Sequence, residues 1–263
     1  MTPQTLILRT AGTNCDLELA HAFELAGAAT QTLHLHQLID RPERLQDFDI
    51  IGFPGGFSYG DDIAAGRILA NRLRHRLYEP LLAAIERGVP MFGPCNGFQV
   101  MVKLGLLPDP HANSGGDSGG GRQQVTLGHN TSGRFIDQWT PVAVEARSPC
   151  IWTRGLEDHD LPMAHGEGRF AAPPAVLDRL EADGLVPLRY RENPNGSARD
   201  IAGLCDPTGL VFGLMPHPER YLQPTHHPQW TRRGPAFLQE TPVGLRYFQN
   251  AVRHVRERHA AAV

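Results

Sequence analysis

The chain has 263 residues, of which 25 are lysine or arginine and 28 are aspartate or glutamate, so its formal net charge is −3 at pH 7. Because there is no basic excess to neutralise phosphates, this balance argues against a protein that binds nucleic acid or a membrane surface through charge. The length suits one large domain or two small ones, and 41% hydrophobic residues suffice for a full core. We expect a single domain spanning residues 1–263.

The first half of the chain alternates strand-like and helix-like segments. The predicted strands are 5–9, 30–36, 49–53 and 89–93, and the predicted helices are 16–26, 63–87 (one or two helices) and 96–104. This alternation indicates an α/β fold with a mostly parallel open sheet flanked by helices. In such sheets, ligands bind beyond the carboxyl ends of the strands.

The second half of the chain is less regular. Residues 108–124 are poor in apolar side chains, and we expect an exposed loop there. Within it, residues 116–121 resemble the serine motif of chymotrypsin-like proteases, but those proteases are all-β, so we interpret the match as accidental. Further on, the sequence predicts strands 141–146 and 185–190, a hairpin of 201–204 with 210–214, and a terminal helix 243–259.

The cysteines and the apolar runs bear on compartment and metal content. The chain has four widely spaced cysteines: Cys15, Cys95, Cys150 and Cys205. They include no Cys-x-x-Cys pair, which disfavours a zinc site and a disulfide framework. No apolar run approaches the roughly 18 residues of a membrane span, and residues 1–5 do not read as a signal peptide. We expect a cytoplasmic protein without a metal site.

The strongest local signal is the run Gly93-Pro94-Cys95-Asn96-Gly97 between a predicted strand and a predicted helix. Small neighbours let the chain bend sharply there and lift the Cys95 side chain clear of the sheet. A helix N-terminus favours a thiolate and can stabilise an oxyanion. The alternative is a buried structural cysteine, which the flanking glycines disfavour.

Cys15 is a rival nucleophile because it also lies between a strand and a helix. Asp16 follows it directly, and a neighbouring carboxylate raises rather than lowers the pKa of a thiol. We therefore prefer Cys95.

A second signal is His217, which follows a predicted strand and lies between Pro216 and Pro218. The prolines restrict the backbone on both sides. Glu219 can hydrogen-bond one imidazole nitrogen and leave the other for a thiol, and a nucleophile with an oriented base is what thiol catalysis requires. The alternative is a surface histidine in a proline-rich loop.

The glycine pair Gly55-Gly56 ends a predicted strand and can aim backbone N–H groups at an anion. It lacks the patterns of a nucleotide-binding loop, and no such pattern occurs elsewhere. Any ATP chemistry would then belong to a partner, and we expect no cofactor in this chain. The pairs His34 with His36, and 226–227, have no carboxylate or cysteine at ligand spacing, so they do not indicate a metal.

Taken together, several segments resemble the class I (triad) glutamine amidotransferases. The matching segments, in family order, are 12–16, 55–61, 95–99, 132–135, 164–169, 193–197 and 215–220. The motifs Gly-Phe-Ser-Tyr-Gly-Asp and His-Gly-Glu-Gly-Arg are similar to those of the branch that serves purine synthesis rather than the anthranilate or carbamoyl-phosphate branches.

The resemblance implies a flavodoxin-like fold with a nucleophile elbow and a Cys95–His217–Glu219 triad that hydrolyses glutamine to glutamate and ammonia. It also implies that four further residues bind substrate or the oxyanion: Gly55, Gly56, Asn96 and Gln99. The ammonia would pass to a synthetase subunit that uses ATP and Mg²⁺, and a small accessory subunit would be a further candidate partner.

Two other classes of function stay open from the sequence. A stand-alone cysteine hydrolase of γ-glutamyl or peptidase type would share the turn at Cys95 and the histidine, but it would need no synthetase. A catalytically dead regulatory module would have lost Cys95, His217 or Glu219, and all three are present.

Overall fold

The computed structural model describes residues 1–111 and 123–261. Most of the loop predicted over 108–124, including the serine-motif look-alike at 116–121, lies outside the described residues. In the described part of the chain, no helix is both long and apolar enough to cross a lipid bilayer.

Eleven strands form two sheets within the described residues. They are β1 (Gln4–Arg9), β2 (Ala29–His34), β3 (Ile50–Gly52), β4 (Met91–Pro94), β5 (Thr126–His129), β6 (Ile136–Val144), β7 (His159–His165), β8 (Glu167–Ala171), β9 (Leu188–Tyr190), β10 (Ile201–Cys205) and β11 (Val211–Leu214). The main sheet has the order β2-β1-β3-β4-β11-β10-β9-β6-β7, and β5 pairs with β8 in a small antiparallel sheet. The strands from β2 to β11 run parallel, and the rest of the main sheet is antiparallel.

The described residues also form eight α-helices. They are α1 (Asp16–Leu25), α2 (Leu35–Asp40), α3 (Arg67–Arg76), α4 (Tyr78–Glu86), α5 (Asn96–Leu104), α6 (Pro174–Ala182), α7 (Gly234–Phe237) and α8 (Val243–Ala261). The α/β fold expected from the sequence, a sheet flanked by helices, is thus confirmed, and the predicted hairpin is β10 with β11.

The core lies on both faces of the central strands, because β3, β4 and β11 are buried along their whole length. Parallel strands covered on both faces are expected to be almost entirely apolar. On one face, Phe92 of β4 packs against Phe248 of α8 and against Trp152, with ring centroids 5.2 and 4.9 Å apart. On the other face, α5 packs against Gly93 and Gly213. These contacts fix the ends of β4 and β11, where the predicted nucleophile and base lie.

One local prediction needs correction, and the structure decides between the alternatives of another. The strand predicted over 30–36 ends at His34, whose ring accepts a hydrogen bond from His36 N and caps α2. His34 and His36 therefore do not share a strand face. The segment predicted as one or two helices over 63–87 is two helices, which are separated at Leu77 by a non-helical backbone conformation.

Candidate functional site

Cys95 lies in the turn between β4 and α5, with backbone angles of φ 50° and ψ −108°. A non-glycine residue at positive φ is uncommon, and proteins tolerate such strain chiefly at functional sites. Backbone hydrogen bonds hold the turn, since Cys95 N donates to Leu214 O at 2.8 Å and Gln99 N donates to Cys95 O at 3.1 Å. This is the sharp strand-to-helix geometry expected of a nucleophile elbow.

Two glycines allow this turn by letting other segments approach it closely. A Cβ on Gly97 would overlap the carbonyl group of Phe53, and a Cβ on Gly93 would overlap the sulfur of Met101. Any larger residue would push α5 away from the sheet. The small neighbours of Cys95 therefore have a packing reason as well as a backbone one.

His217 follows β11 and is fixed on both of its sides. Its backbone N donates to Pro162 O in β7 at 2.7 Å. Its ring Nδ1 lies 2.6 Å from Glu219 Oε1, and the two side chains are only 2% and 0% exposed. With Nδ1–H donating to the carboxylate, the imidazole has a fixed orientation and its Nε2 is left for another partner.

Burial alone would lower the pKa of His217, because it penalises the imidazolium. The charge of Glu219, together with hydrogen bonds to Cys95 and to that carboxylate, outweighs burial and raises the pKa to about 10. The site is therefore built to keep a proton on His217 next to the sulfur.

A cavity of about 340 Å³ opens over Cys95 and His217, and Gly56 and Gln99 also line it. Four of the seven predicted site residues thus meet around one space. Glu219 lies behind His217. The Cys95 sulfur contacts Ala164 O at 3.6 Å, so the end of β7 forms another wall of the cavity.

The glycine pair lies against both the base and the segment before α1. Gly56 has φ 120°, and a Cβ there would be 2.6 Å from Asn14 Oδ1. A Cβ on Gly55 would be 3.1 Å from His217 Cε1. An isolated bridge pairs Thr13 with Gly56. The turn is therefore braced next to His217, with its backbone at the cavity wall.

The Asn96 side chain is buried and turned toward the loop after β3 rather than toward the cavity. Its Nδ2 donates to Asp61 Oδ1 and to Gln99 Oε1, each at 3.0 Å, and its Oδ1 accepts from Ser58 N at 3.4 Å. Asn96 is the first residue of α5, so its backbone N–H is one of those without an intrahelical acceptor. Any contact of Asn96 with an oxyanion would therefore come from its main chain.

Sequence reasoning did not assign site roles to His165 and Glu167, which also line the cavity. Neither ring nitrogen of the buried His165 has a hydrogen-bond partner among the described residues. Burial, with a smaller contribution from His217, lowers its pKa to about 4, so the ring is neutral. Gln99 Nε2 donates to the backbone oxygen of Glu167. The sequence signal for these two residues is the His-Gly-Glu-Gly-Arg motif, which contains both of them.

Cys15 lies closer to the cavity than the sequence indicated, since its side chain is 3% exposed yet lines the same space. Burial and the nearby Glu18 carboxylate raise the pKa of Cys15, which keeps it a thiol. The carboxylate responsible is not the one expected, because Asp16 instead pairs with Arg9 at 3.3 Å.

Glu18, His217 and Glu219 are the one group of three potential metal ligands found among residues 1–111 and 123–261. The contact between His217 Nδ1 and Glu219 already has the geometry of a hydrogen bond. We therefore interpret the group as one that handles a proton, and assign no metal to it.

The sequence of the chain is similar to that of known glutamine amidotransferases. Residues 2–255 match the model of the CobB/CobQ-like glutamine amidotransferase domain. The chain is 45% identical to the phosphoribosylformylglycinamidine synthase subunit PurQ of Dehalococcoides mccartyi, covering 97% of this chain and 98% of that one. It is 37% identical to the subunit of the same name from Methanococcus maripaludis strain S2, covering 96% and 97%.

Solved structures give the same picture. The structure of PurLQS from Thermotoga maritima matches with a TM-score of 0.74 and 31% identity, covering 97% of this chain and 99% of that one. A putative GMP synthase subunit from Thermoplasma acidophilum matches with a TM-score of 0.58 at 12% identity, which is a likeness of fold alone.

Proposed function

Because the chain belongs to the CobB/CobQ-like glutamine amidotransferase family, and because it resembles the PurQ subunits over nearly its full length, we infer that it is the glutaminase subunit of phosphoribosylformylglycinamidine synthase. It hydrolyses glutamine to glutamate and ammonia. A synthetase subunit then uses the ammonia, with ATP, to make formylglycinamidine ribonucleotide in purine biosynthesis.

The observation that carries the mechanism is the strained Cys95 in the same cavity as His217, whose ring is held by buried Glu219. The Cys95 thiolate attacks the side-chain amide carbon of glutamine. The His217 imidazolium gives its Nε2 proton to the leaving nitrogen, which departs as ammonia. The neutral imidazole then takes a proton from water, which attacks the thioester and releases glutamate.

The oxyanion of each tetrahedral intermediate needs donors that are already in place. The backbone at Gly56 lines the cavity and is braced by the segment before α1. The Asn96 N–H at the start of α5 supplies the opposite donor, and the positive end of the helix dipole favours the anion there. Gly55 keeps this turn in contact with His217.

The rest of the cavity suits an amino-acid substrate. The neutral His165 ring has two nitrogens without a hydrogen-bond partner in the described part of the chain, one a donor and one an acceptor, and both can bind polar groups of glutamine. The Glu167 carboxylate lies in the same cavity and can accept from an α-ammonium group. Gln99 supports this wall through its bond to the Glu167 backbone.

The partners and conditions follow from this assignment. The synthetase subunit carries ATP and Mg²⁺, this chain needs no cofactor of its own, and a small accessory subunit joins the assembly. The reaction takes place in the cytoplasm. A stand-alone cysteine hydrolase is not favoured, because the relatives that match nearly the whole chain are named as synthase subunits.

A coupled assay tests the function directly. The full chain is mixed with its synthetase, glutamine, ATP, Mg²⁺ and formylglycinamide ribonucleotide, and both glutamate and formylglycinamidine ribonucleotide are measured. We expect equal amounts of the two products, and no nucleotide product from glutamine when this chain is omitted. Rapid glutamate release without the synthetase, together with no nucleotide product in its presence, would assign the chain to the stand-alone hydrolases instead.

A further inference from the structure

Next to His217 and Glu219 lies an ion pair that the mechanism above does not use. Arg220 directly follows Glu219, and its Nε and Nη2 donate to Glu18 Oε1 at 3.0 and 2.9 Å. Glu18 belongs to the first turn of α1. The pair therefore joins that helix to the loop that carries the base.

The Glu18 carboxylate is close enough to affect the base. One oxygen of Glu18, one ring nitrogen of His217 and one carboxylate oxygen of Glu219 all lie within 4.8 Å of one another. Glu219 Oε2 is buried and has no hydrogen-bond partner among the described residues. Two carboxylates at this separation repel each other. Unless a cation offsets their combined charge, that charge favours a proton on any base between them.

We propose that Arg220 and Glu18 are positioning residues for the His217–Glu219 pair, in which Arg220 holds and neutralises the Glu18 carboxylate so that a second negative charge does not act on the base. This proposal rests on the proposed glutaminase function. Arg220 needs no contact with glutamine for this role, because it acts through Glu18 and the loop.

A third contact makes the pair structural as well as electrostatic. Arg220 Nη2 also donates to the Cys15 sulfur at 3.2 Å. A Cβ on Gly55 would lie 3.3 Å from that sulfur and 3.1 Å from His217 Cε1, so both side chains pack on the same glycine. Arg220 thus fixes the segment before α1 against the turn that supports His217.

The charge balance around His217 explains why Arg220 matters. Among the described residues, nine titratable or charged side chains surround the base or line the cavity beside it: Cys15, Glu18, Asp61, Cys95, His129, His165, Glu167, Glu219 and Arg220. Of these, only Arg220 is a cation at every pH of interest. Its removal makes the surroundings of His217 more negative by one unit, which favours the protonated forms of both His217 and Cys95.

The test measures the pH dependence of Cys95 alkylation by iodoacetamide in the full chain, read by mass spectrometry of the Cys95 peptide, together with glutamine hydrolysis by the complex with its synthetase. In Arg220→Gln, the alkylation midpoint should rise by about half to one pH unit, because the ion pair is only partly exposed to screening solvent. The kcat for glutamine should fall about tenfold, with KM changed much less.

Compensating and control variants sharpen the result. Glu18→Gln with Arg220→Gln should return the alkylation midpoint close to that of the wild type, because both charges are removed. Arg220→Lys keeps the charge and should keep most of the wild-type midpoint. Arg9→Gln breaks the other arginine–carboxylate pair of the same helix, with Asp16, and should leave the midpoint unchanged.

Three outcomes would overturn the proposal. They are an unchanged midpoint in Arg220→Gln, a double variant as shifted as the single one, and a rise in KM alone, which would assign Arg220 to the substrate. The alkylation measurement needs neither synthetase nor nucleotide. Its failure is therefore distinct from a failure of the proposed function, which the wild-type coupled assay decides by itself.

Discussion

At the scale of single residues, the site depends on a cysteine held in a strained backbone conformation and on the absence of side chains around it. Cys95 has positive φ, and the carbonyl group of Phe53 occupies the place where a Gly97 Cβ would be. The strain is tolerated because the central strands and α5 are packed around it on both faces.

Gly97→Ala tests this packing. The added methyl should displace α5 from β3, lower the free energy of unfolding by about 3 kcal/mol and abolish most glutamine turnover. Gly128→Ala is a matched control, since a Cβ there would meet no atom closer than 4.0 Å. Thermal unfolding and glutamate release measure the two effects. A Gly97→Ala protein with wild-type stability and turnover would contradict the account of the turn.

Glu219→Gln tests the orienting carboxylate. The equivalent change in a serine triad costs about four orders of magnitude, but a thiol needs less help, so we expect a loss of about 10- to 1000-fold in glutamine turnover. Loss of the carboxylate should also lower the pKa of His217 from about 10. The basic limb of the pH–rate profile should therefore move to lower pH, because the imidazolium is the acid that protonates the leaving nitrogen.

The control for Glu219→Gln is ammonia-dependent synthesis by the reconstituted complex, which should persist because it does not use the base. Folding is checked by thermal unfolding. A folded Glu219→Gln protein with wild-type glutamine turnover would mean that the carboxylate only shapes the turn after β11.

At the scale of elements, the site lies where the carboxyl ends of parallel strands meet. β3, β4 and β11 are neighbours in the sheet, so the residues that follow them are brought together although they are far apart in sequence. The loop after β3 is tied to the start of α5 by Asp61, whose Oδ1 accepts from Asn96 Nδ2 at 3.0 Å and from Gly66 N at 3.3 Å.

Asp61→Ala tests whether this link supports the nucleophile. It leaves Asn96 Nδ2 with one acceptor fewer and Gly66 N–H without its carboxylate, so the start of α5 loosens. We expect the kcat for glutamine to fall about tenfold. The adjacent Asp62→Ala, on an exposed side chain, should leave kcat unchanged. Equal kcat values for the two variants, measured as glutamate release by the complex, would mean that Asp61 does not support the nucleophile.

The elements that carry the site residues decide which of those residues the sequence predicts. The turns at Gly55, Cys95 and His217 could be predicted, because each follows an apolar strand and carries its own local signal of glycine or proline. His165 and Glu167 could not, since they come from β7 and β8 and reach the site only through tertiary packing. The same is true of Glu18 and Arg220, which are 202 residues apart.

Two differences between sequence and structure have local physical causes. The predicted strand over 30–36 ends early because the His34 ring caps α2. The carboxylate that raises the pKa of Cys15 is Glu18 rather than the adjacent Asp16, because the helix turns Glu18 toward the sulfur. The single domain over residues 1–263 stays a prediction.

At the scale of the whole molecule, the cavity must hold glutamine and release ammonia toward a second protein. If glutamine is hydrolysed when no synthetase is bound, the ammonia is lost to solvent. Full glutaminase activity only in the complex prevents this loss. The Gly55-Gly56 turn is suited to such control, since Gly56 at φ 120° has backbone freedom that other residues lack.

The measurement that tests the central claim most directly is the activity of Cys95→Ser in the assembled complex with two nitrogen sources. Because only amide hydrolysis uses the thiol, we predict that glutamine-dependent synthesis of formylglycinamidine ribonucleotide is abolished, while ammonia-dependent synthesis stays at the wild-type rate. Cys15→Ser should retain most of both activities. Glutamine-dependent synthesis that survives in Cys95→Ser, or is lost equally in Cys15→Ser, would contradict Cys95 as the nucleophile that supplies ammonia.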